Sequence, residues 1–267
     1  DFGCLGERVG YYGNSLGDHF GVGHIFLAGE APGLFYGYVT QGIVQKEDIT
    51  ENGIKYIKQD GSVGYYQTVN KTTPVAGDVK YVDRNGDGVV DDNDRDIIGN
   101  PNPDFTYGFQ TKVSWKSLSL SASFNGVQGR DILNVGNRYN NTPGTKSNNV
   151  TRKAFQNMWT DENPSNLYPK STFVVQNMVM DRYVEDGSYL RCSDITLSYI
   201  LPAKWTNKIG IKNTSVYASV KNAFVITDYS GYDPEVNSFA FDGLRPGVDM
   251  NSYPTPRSFV FGLNLTF

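Results

Sequence analysis

The sequence predicts an all-β chain whose strands form part of a transmembrane antiparallel β-barrel. Apolar and polar residues alternate along several segments of the C-terminal part, and tight turns between these segments alternate with long loops. The segments are about 10 to 13 residues long, whereas soluble strands average about 5 to 6 residues and a tilted strand needs about 9 to 11 to cross a bilayer. Short turns at one end and long loops at the other are typical of outer-membrane barrels.

The composition excludes several classes of protein. The chain has 267 residues, of which 39% are hydrophobic and 13% aromatic, which is enough to bury a core. A formal net charge of −4 offers no basic surface to nucleic acid. Cys4, Cys192, His19 and His24 are too few for a disulfide framework or a zinc cluster. Since the start lacks a signal peptide, we expect a fragment of a longer protein.

The first part of the chain predicts little regular structure. Residues 1–45 are expected to hold one weak barrel strand, near residues 21–28, and then an irregular packed segment. A proline and several glycines interrupt the aromatic residues there, which argues against a central strand. Residues 46–104 are polar with scattered tyrosines, so they predict a long non-repetitive loop.

The end of that loop fits the spacing of a calcium loop, D-x-[DN]-x-[DN]-G, in which alternate side chains and one carbonyl give oxygen ligands to a hard cation. The ligands would be the side chains of Asp83, Asn85, Asp87, Asp91 and Asp94 and the carbonyl of Val89. The twelfth position is an aspartate instead of the usual glutamate, and no amphipathic helix precedes the loop, so a paired EF-hand is not expected. The alternative is an acidic turn held by Asx-type hydrogen bonds; a structural Ca²⁺ is the preferred interpretation.

Residues 105–267 are predicted to contain the last five strands of the barrel and two long loops. The strands span residues 105–115, 118–127, 189–201, 213–226 and 257–267. A tight turn at 116–117 makes the first two a hairpin. The loop at 128–188 includes a short helix within 151–166 that Pro164 ends, and the second loop is 227–256.

Several motifs together resemble the C-terminal part of SusC/RagA-type TonB-dependent outer-membrane receptors. They are PGLFYGYVTQGIVQ, GDVKYVDRNGDGVVDDNDRDIIGNPNPDFTYGF, SLSASFNGVQGRDILN, MWTDENPSNLYP, VEDGSYLRCSDITLSY, VKNAFVITDYSGYDPE and FVFGLNLTF, and they cover nearly the whole chain. The resemblance implies a barrel of about 22 strands with a plugged lumen, of which this chain holds only the last part, without the plug. Five strands cannot close a barrel by themselves, because about eight are the minimum.

The resemblance also implies a function. Such receptors lie in the outer membrane of a Gram-negative bacterium and import a bulky nutrient, most often an oligosaccharide and sometimes a peptide. The TonB system supplies energy through the missing N-terminal part, and a SusD-like surface lipoprotein covers the barrel as a lid. The chain is then a transporter and not an enzyme, with outer-membrane lipid around its strands and no nucleic-acid partner.

Two alternatives use other features of the sequence. A soluble calcium-stabilised β-sandwich could bind glycans through Trp159, Tyr229 and Tyr232, although a sandwich should turn every 8 to 12 residues or so at both ends. A glycoside hydrolase could use two acids, either Asp233 with Glu235 or Asp161 with Glu162. Neighbouring acids in loops are usually only solvated, which disfavours the enzyme.

Four residues carry more specific predictions. Trp159, Tyr229 and Tyr232 are candidates for substrate or partner contact, with loop packing or an aromatic belt as the equal alternative. Phe267 is the candidate assembly signal, as a terminal aromatic is in similar barrels. A periplasmic Phe267 would make the turns at 116–117 and 202–212 periplasmic. Loops 46–104, 128–188 and 227–256, with the calcium-type loop, would then be extracellular.

Overall fold

The computed structural model describes residues 23–142, 149–171, 178–206, 211, 213–241 and 243–266. Strands dominate and the helices are short, so the all-β prediction is confirmed. Within these ranges no helix is both long enough and apolar enough to cross a membrane. Phe267, Cys4 and His19 lie outside the described residues.

The strands and helices follow one another in this order. The strands are β1 (His24–Ile25), β2 (Leu34–Tyr38), β3 (Thr40–Ile43), β4 (Ile49–Thr50), β5 (Gly53–Ile57), β6 (Val63–Tyr66), β7 (Thr68–Val69), β8 (Val79–Tyr81), β9 (Val89–Val90), β10 (Arg95–Gly99), β11 (Phe105–Trp115), β12 (Leu118–Gln128), β13 (Asp131–Asn134), β14 (Val184–Asp186), β15 (Tyr189–Ile200), β16 (Asn213–Thr227), β17 (Val248–Asp249) and β18 (Ser258–Thr266). The helices are α1 (Val135–Asn141), α2 (Arg152–Asn157) and α3 (Ala203–Thr206).

The chain forms two compact units. The sheet unit comprises Pro103–Arg130, Asp186–Glu235 and Ser252–Phe267. The loop unit comprises Asp1–Asn102, Asp131–Glu185 and Val236–Asn251. The long strands therefore fall in the sheet unit, and most of each long connection falls in the loop unit.

The sheet unit is a single antiparallel sheet in the order β11-β12-β15-β16-β18. Each strand pairs with the strand of this sheet that follows it along the chain, so the sheet is an up-and-down meander. Trp115 pairs with Leu118 across the tight turn at Lys116, where φ is 53°. Phe105 pairs with Gln128 at the opposite end, and the other long connections leave from that same end. Long connections and short turns are thus segregated to the two ends of the sheet.

The register sorts the side chains of this sheet onto two faces, because paired residues on neighbouring strands point to the same side. The apolar face carries Phe105, Tyr107, Phe109, Val113, Trp115, Leu118, Leu120, Phe124, Leu190, Cys192, Ile195, Leu197, Tyr199, Val216, Val220, Phe224, Ile226, Phe259, Phe261, Leu263 and Leu265. The polar face carries Thr106, Gln110, Lys112, Ser114, Ser119, Ser121, Ser123, Asn125, Tyr189, Arg191, Asp194, Thr196, Ser198, Ser215, Ser219, Lys221, Ser258 and Asn264, and with them a few apolar side chains, Val127, Tyr217, Val225 and Val260.

Large side chains on the apolar face stay exposed, with Phe259 at 66% and Phe261 at 79%. A β-sandwich would need a second sheet packed face to face on them. The described residues of the sheet unit form one sheet only. The exposed apolar face therefore suits a strand array that meets lipid better than it suits a soluble sandwich.

The polar face is interrupted by bulges in two neighbouring strands. The register shifts between Cys192 and Asp194 of β15, and Asn222 of β16 has a φ of 51°. Beside the bulges, the Asp194 carboxylate accepts from Lys221 at 2.5 Å and from Ser219 at 2.8 Å. We call Asp194 and Lys221 the deep ion pair; it pairs two opposite charges on a face rich in hydroxyl groups.

The loop unit has a hydrophobic core of its own. Its buried residues come from each of the three chain segments and include Phe35, Tyr38, Ile43, Tyr56, Tyr66, Tyr81, Val90, Leu133, Val135, Trp159, Met178, Val179, Tyr183 and Val248. The three long connections therefore fold together as a packed body. The sequence predicts loops here because the strands between the core residues are too short to show a clear period of two.

Strand β2 differs from the irregular segment expected at that place. All five residues of Leu34–Tyr38 are buried, and β2 is the central strand between β1 and β10. The glycines that argued against a strand lie mostly outside it, with Gly33 and Gly42 at φ values of 69° and 84°. Gly37 does lie inside the strand. A glycine is needed there because a Cβ would stand 2.5 Å from the carbonyl oxygen of Val179.

We expect Gly37→Ala to destabilise the loop unit by about 1–3 kcal/mol, the usual cost of overpacking a core. Hydrogen exchange of β2 and β10 in the intact protein measures this loss. Gly243→Ala is the matched control, because a Cβ at Gly243 meets nothing within 4 Å. Equal protection in the two variants would contradict the packing role of Gly37.

The connections also differ from the expected loops in their details. Residues 46–104 contain the hairpin of β5 and β6, in which Ile54 pairs with Tyr66. Helix α2 starts after Thr151, whose hydroxyl accepts from the amide of Ala154 at 3.2 Å. It ends at Asn157, well before Pro164, because Met158 is extended and bridges to Tyr168.

Candidate functional site

The acidic loop, residues 83–94, lies in the loop unit between β8 and β10. The Asp83 side chain is buried at its start and accepts hydrogen bonds from the amides of Gly86 at 2.6 Å and Gly88 at 2.9 Å. Both glycines have positive φ, 75° and 86°, which allows the chain to turn back towards this carboxylate. The first position of the calcium-type spacing thus closes the loop on itself.

The exposed residues of the loop form Asx-type turns. The Asn85 side-chain oxygen accepts from the amide of Asp87 at 2.9 Å, and Asp87 accepts from the amide of Val89 at 2.9 Å. Asp91 accepts from the amide of Asn93 at 2.8 Å and so caps a short 3-10 turn. These hydrogen bonds are those of the Asx-turn alternative, and they occupy oxygens that a cation would share.

Asp94, at the last position of the spacing, is fully buried. One of its oxygens accepts from the amide of Arg84 at 2.7 Å and the other from that of Asp91 at 2.8 Å. Burial raises the pKa of the Asp94 carboxyl above its ordinary value, although these amide bonds act in the opposite direction. Asp94 therefore holds the two ends of the loop together.

Two tyrosines fix the acidic loop to the core of the loop unit. The Tyr56 hydroxyl donates to the carbonyl of Asp83 at 2.6 Å, and the Tyr38 hydroxyl donates to Asp92 at 3.1 Å. Burial, with the nearby charges of Asp83 and Asp94, raises the pKa of Tyr56 to about 12. The loop is consequently anchored and not a free surface turn.

Carboxylate, amide and carbonyl oxygens are the ligands that Ca²⁺ prefers, and Asp83, Asn85, Asp87, Val89, Asp91 and Asp94 would be the residues to hold it. In the part of the chain that the structure describes, no three His, Cys, Asp or Glu side chains are grouped as metal ligands. These oxygens are thus of the kind that Ca²⁺ binds, but in this structure they accept hydrogen bonds from backbone amides.

A cleft of about 570 Å³ adjoins the acidic loop within the loop unit. It is lined by Val39, Gln41, Ile57, Lys58, Gln59, Asp60, Val82, Asp83, Arg84, Asn85 and Gly86. The side-chain oxygen of Gln41, one of the lining residues, accepts a hydrogen bond from the backbone amide of Ile57 at 2.8 Å. The cleft is an open, polar feature of the same region.

The sheet unit holds a second cluster of charges at the end where the long connections leave. Arg191 of β15 is 5% exposed, and its guanidinium lies 2.5 Å from Asp233 and 3.2 Å from Glu235. The Tyr189 hydroxyl donates to Glu235 at 2.6 Å and the Asn125 amide donates to it at 2.9 Å. We call these five residues the stem clamp.

Asp233 also joins the two chain segments of the connection 228–257 that belong to the sheet unit. Its carboxylate accepts from the amides of Glu235 at 2.9 Å and Thr255 at 3.3 Å. Burial acts to raise the pKa of Asp233, but the bonds from Thr255 and Glu235 and the charge of Arg191 outweigh it and hold the pKa below its ordinary value. Asp233 is therefore charged and fully partnered.

These contacts bear on the two acid pairs of the hydrolase alternative. Asp233 and Glu235 share Arg191 as a cation, and the pKa of Asp233 is lowered, which is the opposite of what a general acid needs. Asp161 is exposed and pairs with Lys46 at 2.7 Å, and Glu162 is exposed beside it. Neither pair has the features of a glycosidase site.

The three predicted contact residues lie in different surroundings. Trp159 is buried in the core of the loop unit, and its indole donates to Gln45 at 3.1 Å. Tyr229 is also buried, whereas Tyr232 is 70% exposed. Burial favours the packing interpretation for Trp159 and Tyr229, and Tyr232 alone presents its ring at the surface of its unit.

The stem clamp is the feature that sequence reasoning missed. The sequence presents its two acids only as a candidate catalytic pair in the motif DYSGYDPE. Its cation could have been found, because Arg191 is a charged residue in the strand motif SYLRCSDITLSY. A buried charge in a long amphipathic strand is costly unless it is paired, and the acids of the loop that follows the next strand are candidate partners.

Comparison with known proteins gives consistent relatives. No protein-family model matches the chain. It is 35% identical over 201 residues to TonB-dependent receptor P26 of Formosa agariphila, which covers 72% of this chain and 20% of that protein. It is 34% identical over 194 residues to TonB-dependent receptor SusC of Bacteroides thetaiotaomicron, covering 70% of this chain and 17% of SusC. The chain thus spans about a fifth of these relatives.

A solved structure has a similar fold. The RagAB peptide transporter superposes with a TM-score of 0.64 at 24% identity, over 95% of this chain and 24% of that one. The relatives are receptors and transporters and not enzymes, in agreement with the prediction.

Proposed function

From the premise that this chain is homologous to part of a TonB-dependent receptor, we propose that the whole receptor imports a bulky nutrient across the outer membrane. TonB-dependent receptors are outer-membrane proteins of Gram-negative bacteria. The observation that carries the proposal is the division of one antiparallel sheet into an exposed apolar face and a hydroxyl-rich polar face. Such a sheet fits a barrel wall with lipid outside and a polar lumen inside.

The proposal includes a topology. Outer-membrane barrels keep short turns on the periplasmic side and long loops outside. The end of the sheet with the turn at Lys116 is then periplasmic, and the three long connections are extracellular. Phe267 would lie at the periplasmic rim as the assembly signal, and the acidic loop would face the medium.

The substrate class and the partners follow from the relatives and from the predicted family. SusC is 34% identical to this chain, and the RagAB structure is that of a peptide transporter. We take an oligosaccharide as the first candidate substrate and a peptide as the second. A SusD-like surface lipoprotein would act as the lid, and the TonB system would act on the remainder of the receptor.

Uptake by the full-length receptor tests this proposal. Cells that lack the gene, with and without a plasmid copy, are given fluorescent oligosaccharides or peptides in turn. Import that depends on both the receptor and an intact TonB system supports the proposal. Import at the same rate in cells without the receptor, for every compound offered, would overturn it.

We also propose a structural Ca²⁺ in the acidic loop. An extracellular site needs a Kd of only about 10⁻⁴ to 10⁻³ M. The ion would replace some of the amide bonds to Asn85, Asp87 and Asp91 and would pin the loop without any catalytic role. Support comes from the spacing of the oxygens and from the anchoring of the loop by Tyr56.

We expect millimolar Ca²⁺ to protect the acidic loop of the full-length receptor from proteolysis. Asp87→Asn should raise the Kd for Ca²⁺, because it removes one negative ligand from an exposed position. Asp60→Asn is the control, since Asp60 is an exposed acid outside the loop that bonds to Ser62. Calorimetry that detects no Ca²⁺ binding at millimolar concentration would contradict the metal proposal.

A further inference from the structure

We propose that the two stems of the connection 228–257 are strapped across the polar face of the sheet and form a fixed constriction at the mouth of the barrel. The stems are residues 228–235 and 252–257, both in the sheet unit. This inference rests on the proposed function, because a mouth exists only if the polar face lines a lumen.

The register decides on which side the stems lie. Asn125 pairs with Arg191, and both alternate with Phe124 and Cys192, which pair with each other on the apolar face. Tyr189 lies two residues before Arg191 and shares its face. Since Glu235 accepts hydrogen bonds from Asn125 and Tyr189 and forms an ion pair with Arg191, the stem is held on the polar side of the sheet.

The bonding of the stems indicates a fixed strap and not a flap. Each oxygen of Glu235 has a partner on the sheet, and Asp233 binds Arg191 while accepting from Thr255 on the other stem. Arg191 and Asp233 are 5% and 9% exposed. Charge-assisted bonds of this kind are stronger than neutral ones, so both stems are fixed to the same place.

The consequence for transport is a limit on size. In a barrel whose apolar face meets lipid, the polar face surrounds the lumen, and the stems occupy the end from which the long connections leave. They therefore take up part of the opening on this side of the barrel. The deep ion pair lies on the same face but bonds to no loop residue in the described contacts, so its loss should leave the opening unchanged.

Thiol cross-linking of the full-length receptor in cells tests the location of the strap. With the other cysteines replaced, Asn125→Cys with Glu235→Cys should be joined by a short bifunctional thiol reagent, because the ends of these two side chains are in contact. Phe124→Cys with Glu235→Cys is the control, since Phe124 is the adjacent residue on the opposite face. Failure of the first pair, or equal cross-linking of the second, would overturn the inference.

Labelling with maleimide-polyethylene glycols of increasing mass tests the constriction. A single cysteine at Ser121, on the polar face below the clamp, reports which reagents pass the mouth. Glu235→Ala should admit larger reagents than the parent does, whereas Lys221→Met should not. No gain of labelling in Glu235→Ala, at equal amounts of assembled receptor, would overturn the constriction.

The same strains separate this inference from the proposed function. If the receptor imports its nutrient but residues 125 and 235 do not cross-link, the proposed function stands and the strap is refuted. If residues 125 and 235 cross-link but the receptor imports nothing, the strap stands and the proposed function is refuted. Import at the parental rate by the cross-linked receptor is expected of a fixed strap, and import that stops on cross-linking would show a moving gate instead.

Discussion

Phe261→Arg is expected to reduce sharply the amount of receptor assembled in the outer membrane. Phe261 lies near the middle of β18 on the apolar face and is 79% exposed within its unit. If this face meets lipid, an arginine near the bilayer midplane costs about 2–4 kcal/mol. Such a penalty is a large share of the stability of a typical domain, about 5–15 kcal/mol. The heat-modifiable, folded form in outer-membrane fractions measures the loss.

The matched control uses the other face of the same strand. Asn264 lies on the polar face and pairs with Ser215 of β16. An added arginine there would stay in the polar lumen, so Asn264→Arg should assemble close to normally. Equal loss of the folded form in the two variants would contradict the assignment of the faces.

Arg191→Met is expected to destabilise the receptor by about 3–5 kcal/mol, the cost of breaking a buried pair by removing one partner. The change leaves Asp233 and Glu235 without their cation, and Asp233 is only 9% exposed. Urea unfolding of the full-length receptor in lipid measures the loss. Lys221→Met breaks the more exposed deep ion pair, in which the lysine side chain is 53% accessible, and should cost no more than about 1 kcal/mol.

The pH dependence of the clamp gives a second readout of the same change. The pKa of Asp233 is lowered in the folded state, so its contribution is complete above the unfolded pKa of about 3.9 and is lost as the pH falls through the folded value. Parent and Arg191→Met should therefore differ fully near neutral pH and converge in strong acid. A difference that grows on acidification would contradict the charge of Asp233.

The sheet could be predicted from the sequence because one physical rule governs it. A long strand with lipid on one side and water on the other must alternate strictly, and β11 does so from Phe105 to Trp115. No helix or cap competes with that pattern. The apolar face was therefore readable without any knowledge of the pairing.

The loop unit could not be predicted in the same way. Its core is assembled from residues as distant as Phe35, Leu133 and Val248, and each contributing strand is only a few residues long. The central strand β2 was missed because glycine normally weakens a strand. At Gly37 the structure needs glycine for the close approach of Val179, a contact that no local pattern reveals.

The acidic loop and the stem clamp also differ in how far the sequence predicts them. The spacing of the acidic loop is local, and Asp83 and Asp94 indeed lie at its two ends and close it. The stem clamp joins residues up to 110 positions apart, as in the bond between Asn125 and Glu235. Only the register of the sheet brings these residues together, and that register cannot be read from the sequence.

The shared core of the loop unit has a consequence for the order of folding. Its three segments are separated by the long strands, and closing such large loops is slow because their entropy is lost before any core contact forms. The β11 and β12 hairpin, by contrast, closes across the short turn at Lys116. Hairpin pairing should therefore precede core formation, and residues such as Phe35 and Tyr81 would remain open to water until the strands have met. During that interval the nascent chain exposes aromatic surface prone to aggregation, and this surface includes the future core of the loop unit as well as the apolar face of the strands.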